Sequence, residues 1–270
     1  MDQPRSTTEQ PQIDITVLIT CYNEEPYILD TIENVVGALQ DAGGSYEVIV
    51  VDDVSKDHSV QRVREYIARH PGIPVRLHIN PKNRGLANNY IDAAFLGSGK
   101  YYRMCCGDNA EPRSVLANIF RHVGKAEMVI PYQLQEEVAG KSFFRRILSR
   151  TFTFLVNGLS GYRLKYYNGL AVHLRYNVMR WHPTSYGFGF QADLVTRLLD
   201  EGVSYLQVPS SSVDHKGGTS TALSMRNVLS VTHTLLEIAI RRLKRFLYGG
   251  NQPRPVEVPL EEVSINQDRR

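Results

Sequence analysis

The chain predicts an α/β fold in which a mainly parallel central sheet is flanked by helices, with amphipathic helices in its carboxy-terminal half. Two patterns carry that prediction. Short apolar, β-branched runs alternate with stretches whose apolar residues recur at helical spacing, the rhythm of right-handed βαβ units. Polar and acidic residues gather where those runs end, and in parallel sheets ligands bind beyond the carboxyl ends of the strands.

The elements follow in order. Residues 15–20 form a continuous run from Ile15 to Thr20, as a strand buried on both faces requires. Pro26 then stands where a first helical turn tolerates it. Ile28, Leu29, Ile32, Val35, Val36 and Leu39 share one helical face, closed by Gly43 and Gly44. The next strand, 47–51, ends in Asp52 and Asp53, and Val60, Val63 and Ile67 mark the helix from Ser59. A strand over 75–79, a helix over 85–95 and a strand over 101–106 complete the regular half. Beyond it come a strand at 127–131, a long basic and aromatic helix at 143–159, and a glycine-aromatic loop at 186–189 that leads into a helix at 190–199. A strand at 204–209 and a final helix at 223–247, ending in Arg241, Arg242, Lys244 and Arg245, follow. Residues 1–12 and the tail over 249–270 read as loose segments.

The polar strand ends are Tyr22-Asn23-Glu24, Asp52-Asp53, Asn83-Arg84-Gly85 and Gly107-Asp108-Asn109. Any one of these is an ordinary cap or turn. A whole set on one edge predicts a ligand site.

Composition narrows the class. Hydrophobic residues make up 42% and charged residues 22%, so a chain of this length buries a core without disulfides or metals. Cys21, Cys105 and Cys106 lack metal-ligand spacing, and an odd cysteine count argues against a secreted disulfide framework, so a reducing, cytoplasmic setting is expected. No apolar run approaches the ~18 residues of a spanning helix. The net charge of +3 gives no reason to expect a nucleic-acid partner, but its distribution is uneven. Residues 140–192 contain no Asp or Glu, yet carry Lys141, Arg145, Arg146, Arg150, Arg163, Lys165, Arg175 and Arg180. That stretch predicts a surface meeting something anionic, with scattered solvated bases as the plainer alternative.

These residues together resemble the family-2 glycosyltransferases, and within them the dolichyl- or polyprenyl-phosphate mannosyltransferase-like branch. Residues 17–25 resemble the family's opening strand and turn, 47–57 its second strand with the acidic end, and Asn83-Arg84-Gly85-Leu86-Ala87 the Asn-x-Gly segment. Gly107 to Pro112 falls where the family has its Asp-x-Asp metal motif. Residues 187–198, with Val208-Pro209, Gly218 and Ser220, resemble the branch's carboxy-terminal signatures.

The resemblance implies a GT-A fold over 13–248, with a nucleotide-sugar-binding half at 13–112 and an acceptor half at 113–248. It implies an inverting enzyme that uses a nucleotide-diphospho-sugar, a divalent cation (Mg2+ or Mn2+), and a polyprenyl phosphate as acceptor. It places Thr20, Tyr22, Glu24, Asp52, Asp53, Asn83, Arg84 and Gly85 around the nucleotide sugar. Arg84 either steadies the diphosphate or caps a strand. Asp108 is the matching metal acid, with Glu111 assisting, while Cys106 replaces the family's first acid with a soft ligand that Mg2+ avoids. Asp193 matches an acid that serves as base in hydroxyl-glycosylating relatives and as a positioning group otherwise. Arg145, Arg146 and Arg150, with His215, Lys216 and Ser220, are the expected acceptor-phosphate contacts. Phe143, Phe144, Phe152 and Phe154 are expected in an interfacial lipid layer. The final helix offers a second membrane contact or a homo-oligomer interface. A transferase acting on a saccharide hydroxyl with Asp193 as base, and a catalytically weak nucleotide-sugar-binding subunit, stand as alternatives.

Overall fold

The computed structural model describes residues 13–133, 143–181, 187, 189–211, 225–248 and 253–260. Its strands are β1 (Ile15–Cys21), β2 (Tyr46–Asp52), β3 (Val75–Ile79), β4 (Tyr101–Cys106), β5 (Met128–Gln133), β6 (Val172–Leu174) and β7 (Tyr205–Ser210). Its helices are α1 (Ile28–Ala42), α2 (Ser59–Arg69), α3 (Leu86–Leu96), α4 (Arg113–Phe120), α5 (Phe143–Ser160), α6 (Arg175–Met179), α7 (Phe190–Asp200) and α8 (Met225–Tyr248). The strands form one sheet in the order β3-β2-β1-β4-β6-β5-β7. All pairings are parallel except those of β6, which runs antiparallel to both β4 and β5.

Alternation along the central strands divides the core into two layers. Val17, Ile19, Val48 and Val50 face α1, α2 and α4, where Val35, Leu39, Val63 and Ile119 close the packing. Leu18, Ile49, Tyr102 and Met104 face the other side, against Tyr90 of α3, Val156 of α5, Val178 of α6, Leu198 of α7 and Ile238 of α8. The expected mainly parallel α/β architecture is therefore the observed one. The antiparallel β6 went unforeseen because three residues are too short for any periodicity to register.

Register brings the polar strand ends together. Cys21 pairs with Asp52, Thr20 with Cys106, and Asp52 with Ile79, so the loops after β1, β2, β3 and β4 leave along one edge. The Asp53 amide donates to the Cys21 carbonyl at 2.8 Å and the Asn80 amide to the Asp52 carbonyl at 2.9 Å, which carries the pairing one step past the strands. A Cβ at Gly107 would lie 2.4 Å from the Thr20 carbonyl oxygen, so glycine is what lets β4 close against β1 here.

Three expectations are corrected. Residues 253–260 run beside β7: the Tyr205 amide donates to Val256 O at 2.9 Å, the Val258 amide to Tyr205 O at 2.8 Å, and Gln207 Nε2 to Glu257 Oε1 at 2.7 Å. The tail covers a sheet edge that would otherwise expose unpaired amides. Phe152 does not face outward; it is 9% exposed and packs in the second core layer, whereas Phe154 is 75% exposed. Several bases of the acid-free stretch are structural. Arg175 donates to the Gly99 and Ala94 carbonyls at 2.7 and 3.1 Å, Arg180 binds Asn177 and Glu201, and Lys165 Nζ lies 4.1 Å from the centre of the Tyr132 ring.

Candidate active site

The edge is laced together before any ligand arrives. The Asn23 amide donates to Ser55 Oγ at 2.9 Å, the Lys56 amide to Asn23 Oδ1 at 2.7 Å, the Glu24 amide to Ser59 Oγ at 3.0 Å, and the Glu25 amide to Asp57 Oδ2 at 3.0 Å. These bonds fix the loop after β1 against the loop after β2. Tyr22 is 51% exposed at this edge, and Thr20 and Glu24 are half-buried.

The paired acids Asp52 and Asp53 have different jobs. Asp53, 5% exposed, accepts from Asn80 Nδ2 and the Arg84 amide through Oδ1, both at 2.8 Å, and from the Gly85 amide through Oδ2 at 2.9 Å. Asn83 Nδ2 donates to the Asp53 carbonyl at 3.2 Å. The Asn-Arg-Gly segment is thus moored to Asp53, and Gly85 takes a φ of 75° at the start of α3. Asp52, 1% exposed, uses Oδ2 to receive the Val54 and Ser55 amides at 3.1 Å each, which stabilises the positive φ of 70° at β-branched Val54. Its Oδ1 is buried with no hydrogen-bond partner in the structure. A buried acceptor left open is the arrangement a ligand N–H or hydroxyl would complete. Arg84 Nε donates to Asp92 on α3 at 2.6 Å, in an exposed pair.

Across the edge, Asp108 sits in the turn after β4, half-buried, with Oδ1 accepting the Ala110 amide at 3.2 Å. Asn109, at φ 55°, accepts from Asn34 Nδ2 at 2.8 Å and so ties the turn to α1. Glu111 binds Arg103 Nη2 through Oε1 at 2.5 Å, while its Oε2 is buried without a partner. Burial, and then the Asp108 and Glu111 carboxylates, push the Cys106 thiol up, so it stays a neutral soft group. Burial likewise pushes Cys105 up to about 12 against the pull of Arg103. Among the described residues no three His, Cys, Asp or Glu side chains are grouped to hold a metal unaided. Asp108 and the unpartnered Glu111 oxygen are hard donors of the kind that suit a cation whose remaining ligands come from a diphosphate.

On α7, Asp193 has 0% exposure. Its Oδ1 receives Arg241 Nη1 at 2.7 Å and its Oδ2 receives Arg197 Nε at 3.0 Å. Arg241 continues to Asp200 at 2.9 Å and Thr196 at 2.5 Å. Arg150 is exposed on α5. Arg145 and Arg146 belong to α5, but their side chains lie outside the described residues, as do His215, Lys216 and Ser220. Among the described residues no helix is long and apolar enough to cross a membrane.

The family model for glycosyl transferase family 2 matches residues 16–180, more than half of the chain and the whole laced edge. The chain belongs to glycosyl transferase family 2. It is 27% identical over 161 residues to the dolichyl-phosphate beta-glucosyltransferase of Dictyostelium discoideum, covering 54% of this chain and 49% of that protein. The chain therefore spans about half the length of such curated relatives. In fold it is similar to a mannosyltransferase of Pyrobaculum calidifontis solved with GDP-Man and Mn2+, with TM-score 0.60 and 21% identity over 91% of this chain and 67% of that one. It is also similar to glucosyl-3-phosphoglycerate synthase of Mycobacterium tuberculosis solved with Mn2+, UDP and phosphoglyceric acid, with TM-score 0.61 and 18% identity over 84% and 78%. The GT-A fold expected for a family-2 chain is the fold found.

Sequence reasoning missed two features of the family-2 edge. Arg103, fully buried in β4, had a signal: it is the lone charge in the run Tyr101 to Cys106. Ser59 had none, and Ser55 and Asp57 stood only within the 47–57 resemblance, since their value lies in contacts with a loop more than thirty positions away.

Proposed function

We propose that this chain transfers a sugar from a nucleoside-diphosphate sugar to a polyprenyl phosphate at a membrane surface, with inversion at the anomeric carbon. The half at 13–112 holds the donor and the half at 113–248 meets the acceptor. The open Asp52 oxygen receives an N–H of the base, with Tyr22 packed on the ring and Glu24 beside the ribose. Asp53 keeps the Asn83-Arg84-Gly85 loop in register beside them.

A divalent cation bound to the diphosphate would neutralise charge on the leaving group. Asp108 and Glu111 Oε2 are the residues that fit it, and the relatives solved with Mn2+ support the same reading. The displacement itself is a single in-line step: an acceptor oxygen bonds to C1 as the C1–O bond to the nucleoside diphosphate breaks.

The observation that carries the choice of acceptor is the state of Asp193. A hydroxyl acceptor needs a base, and the acid proposed for that task has 0% exposure and two arginine partners. A phosphate arrives already ionised and needs only to be held. Arg150 is exposed on α5 near exposed Phe154 and Leu155, and α8, which packs on α5, exposes Leu236, Ile240 and Leu243 beside Arg242 and Lys244. Basic and apolar side chains together suit an anionic lipid surface, where each base contributes about 1 kcal/mol.

The test is a triple change of Arg145, Arg146 and Arg150 to Gln. It should lower binding to anionic vesicles, with a steep salt dependence in the parent, and abolish transfer to a short, detergent-soluble polyprenyl phosphate while donor binding survives. Wild-type transfer by the triple variant would refute the lipid-phosphate reading in favour of a hydroxyl acceptor.

A further inference from the structure

We propose that Arg103, inside the sheet, is a positioning residue that aims the Glu111 carboxylate at the divalent cation of the donor site. The inference rests on the cation-assisted reading above and assigns a role to a residue outside the polar edge.

Arg103 has 0% exposure, and its strand neighbours Tyr101, Tyr102, Met104 and Cys105 are buried with it. A guanidinium in such a place is costly unless its donors are met. Here Nε donates to Leu170 O at 3.0 Å, Nη1 to Cys105 Sγ at 2.8 Å and Nη2 to Glu111 Oε1 at 2.5 Å, with the Phe120 ring centre 5.8 Å away. The rigid plane of the fork, anchored at two other points, fixes where the third bond can lie.

Glu111 receives that bond with one oxygen alone. Its Oε2 is buried and unpartnered, three positions beyond Asp108. Asp108 and Glu111 both stand in the short segment that joins β4 to α4. Docking Oε1 on a fixed guanidinium sets the direction of Oε2, leaving it as a hard donor where Cys106 offers only a thiol. Arg103 also joins the strand carrying this turn to Leu170, in the segment before β6, so the donor and acceptor halves meet at one buried cation.

The experiment measures the factor by which Mn2+ tightens UDP or GDP binding, by calorimetry on the full chain. Wild type, Glu111→Gln, Arg103→Lys, Arg103→Met and the two double variants with Glu111→Gln are compared after their folding is checked by circular dichroism. Each single change should reduce the Mn2+ factor by about tenfold or more. Each double should lose no more than Glu111→Gln alone, because Arg103 acts through that carboxylate. Arg103→Lys keeps the buried charge without the fork and carries the cycle if the Met variant does not fold. A wild-type Mn2+ factor in the Arg103 variants overturns the inference, and so does an equal loss in both backgrounds. Wild-type protein that binds a nucleoside diphosphate with no tightening by Mn2+ overturns the cation reading itself, a separate and recognisable result.

Discussion

Asp193 Oδ1 lies 2.7 Å from Arg241 Nη1, and this contact locks α7 to α8 through a carboxylate with no solvent exposure. Removing one partner of such a pair leaves the other buried and uncompensated. Asp193→Asn should therefore cost about 3 kcal/mol in urea unfolding. Transfer to a phosphate acceptor by the folded variant should stay within a few-fold of wild type. A fall in kcat of several orders of magnitude without loss of stability would return Asp193 to the role of base.

Asp52 and Asp53 should separate cleanly. Asp52→Asn keeps one oxygen for the Val54 and Ser55 amides but presents an amide group where the ligand N–H needs an acceptor. Nucleoside-diphosphate binding should weaken by about 1–3 kcal/mol, roughly five- to 150-fold, with little change in melting temperature. Calorimetry showing wild-type affinity would return Asp52 to a turn-capping role alone.

Asp53→Ala should act first on stability. It strips partners from Asn80 Nδ2 and from the Arg84 and Gly85 amides, a loss of about 2–4 kcal/mol at roughly 1 kcal/mol per bond. Hydrogen exchange at Arg84 and Gly85 should quicken in step. Unchanged protection at those amides would contradict the mooring.

Asp108→Asn should leave the fold intact, since its carboxylate makes one bond within its own turn, and lower turnover by orders of magnitude at saturating Mn2+. Turnover equal to wild type would remove Asp108 from the site.

His173 sets a pH dependence unrelated to catalysis. It has 0% exposure with both ring nitrogens unpartnered, and burial lowers its pKa from 6.5 to about 3. The unfolded chain takes up the proton first, so stability falls as pH drops below 6.5, by up to about 1.4 kcal/mol per unit, until the folded-state pKa is reached. Denaturant unfolding of His173→Phe should show a shallower slope between pH 6.5 and 4, and an identical slope would assign the loss to other groups.

Much of this was legible from local pattern. β1 was visible because a strand buried on both faces is a continuous apolar run, and β3 and β4 were placed at 75–79 and 101–106 as observed. α5 was expected over 143–159 and runs Phe143–Ser160. The polar strand ends announced the site because a parallel sheet delivers all such ends to one edge.

What a side chain does once it reaches that edge depends on partners distant in the chain. The sequence grouped Asp52 with Asp53, and only the fold shows one holding a loop and the other keeping an open oxygen. It read Phe152 with Phe154, although 9% and 75% exposure separate them once α5 packs on the sheet. It offered Asp193 as a base or a positioning group, and α8 brings Arg241 to it across forty-eight positions. Composition and periodicity decide which segments form strands and helices, because those depend on neighbours a few residues away. Which oxygen stays unpaired, which arginine is buried and which acid is paired with arginines are decided by contacts between distant segments, and these exist only after the two layers close on the sheet.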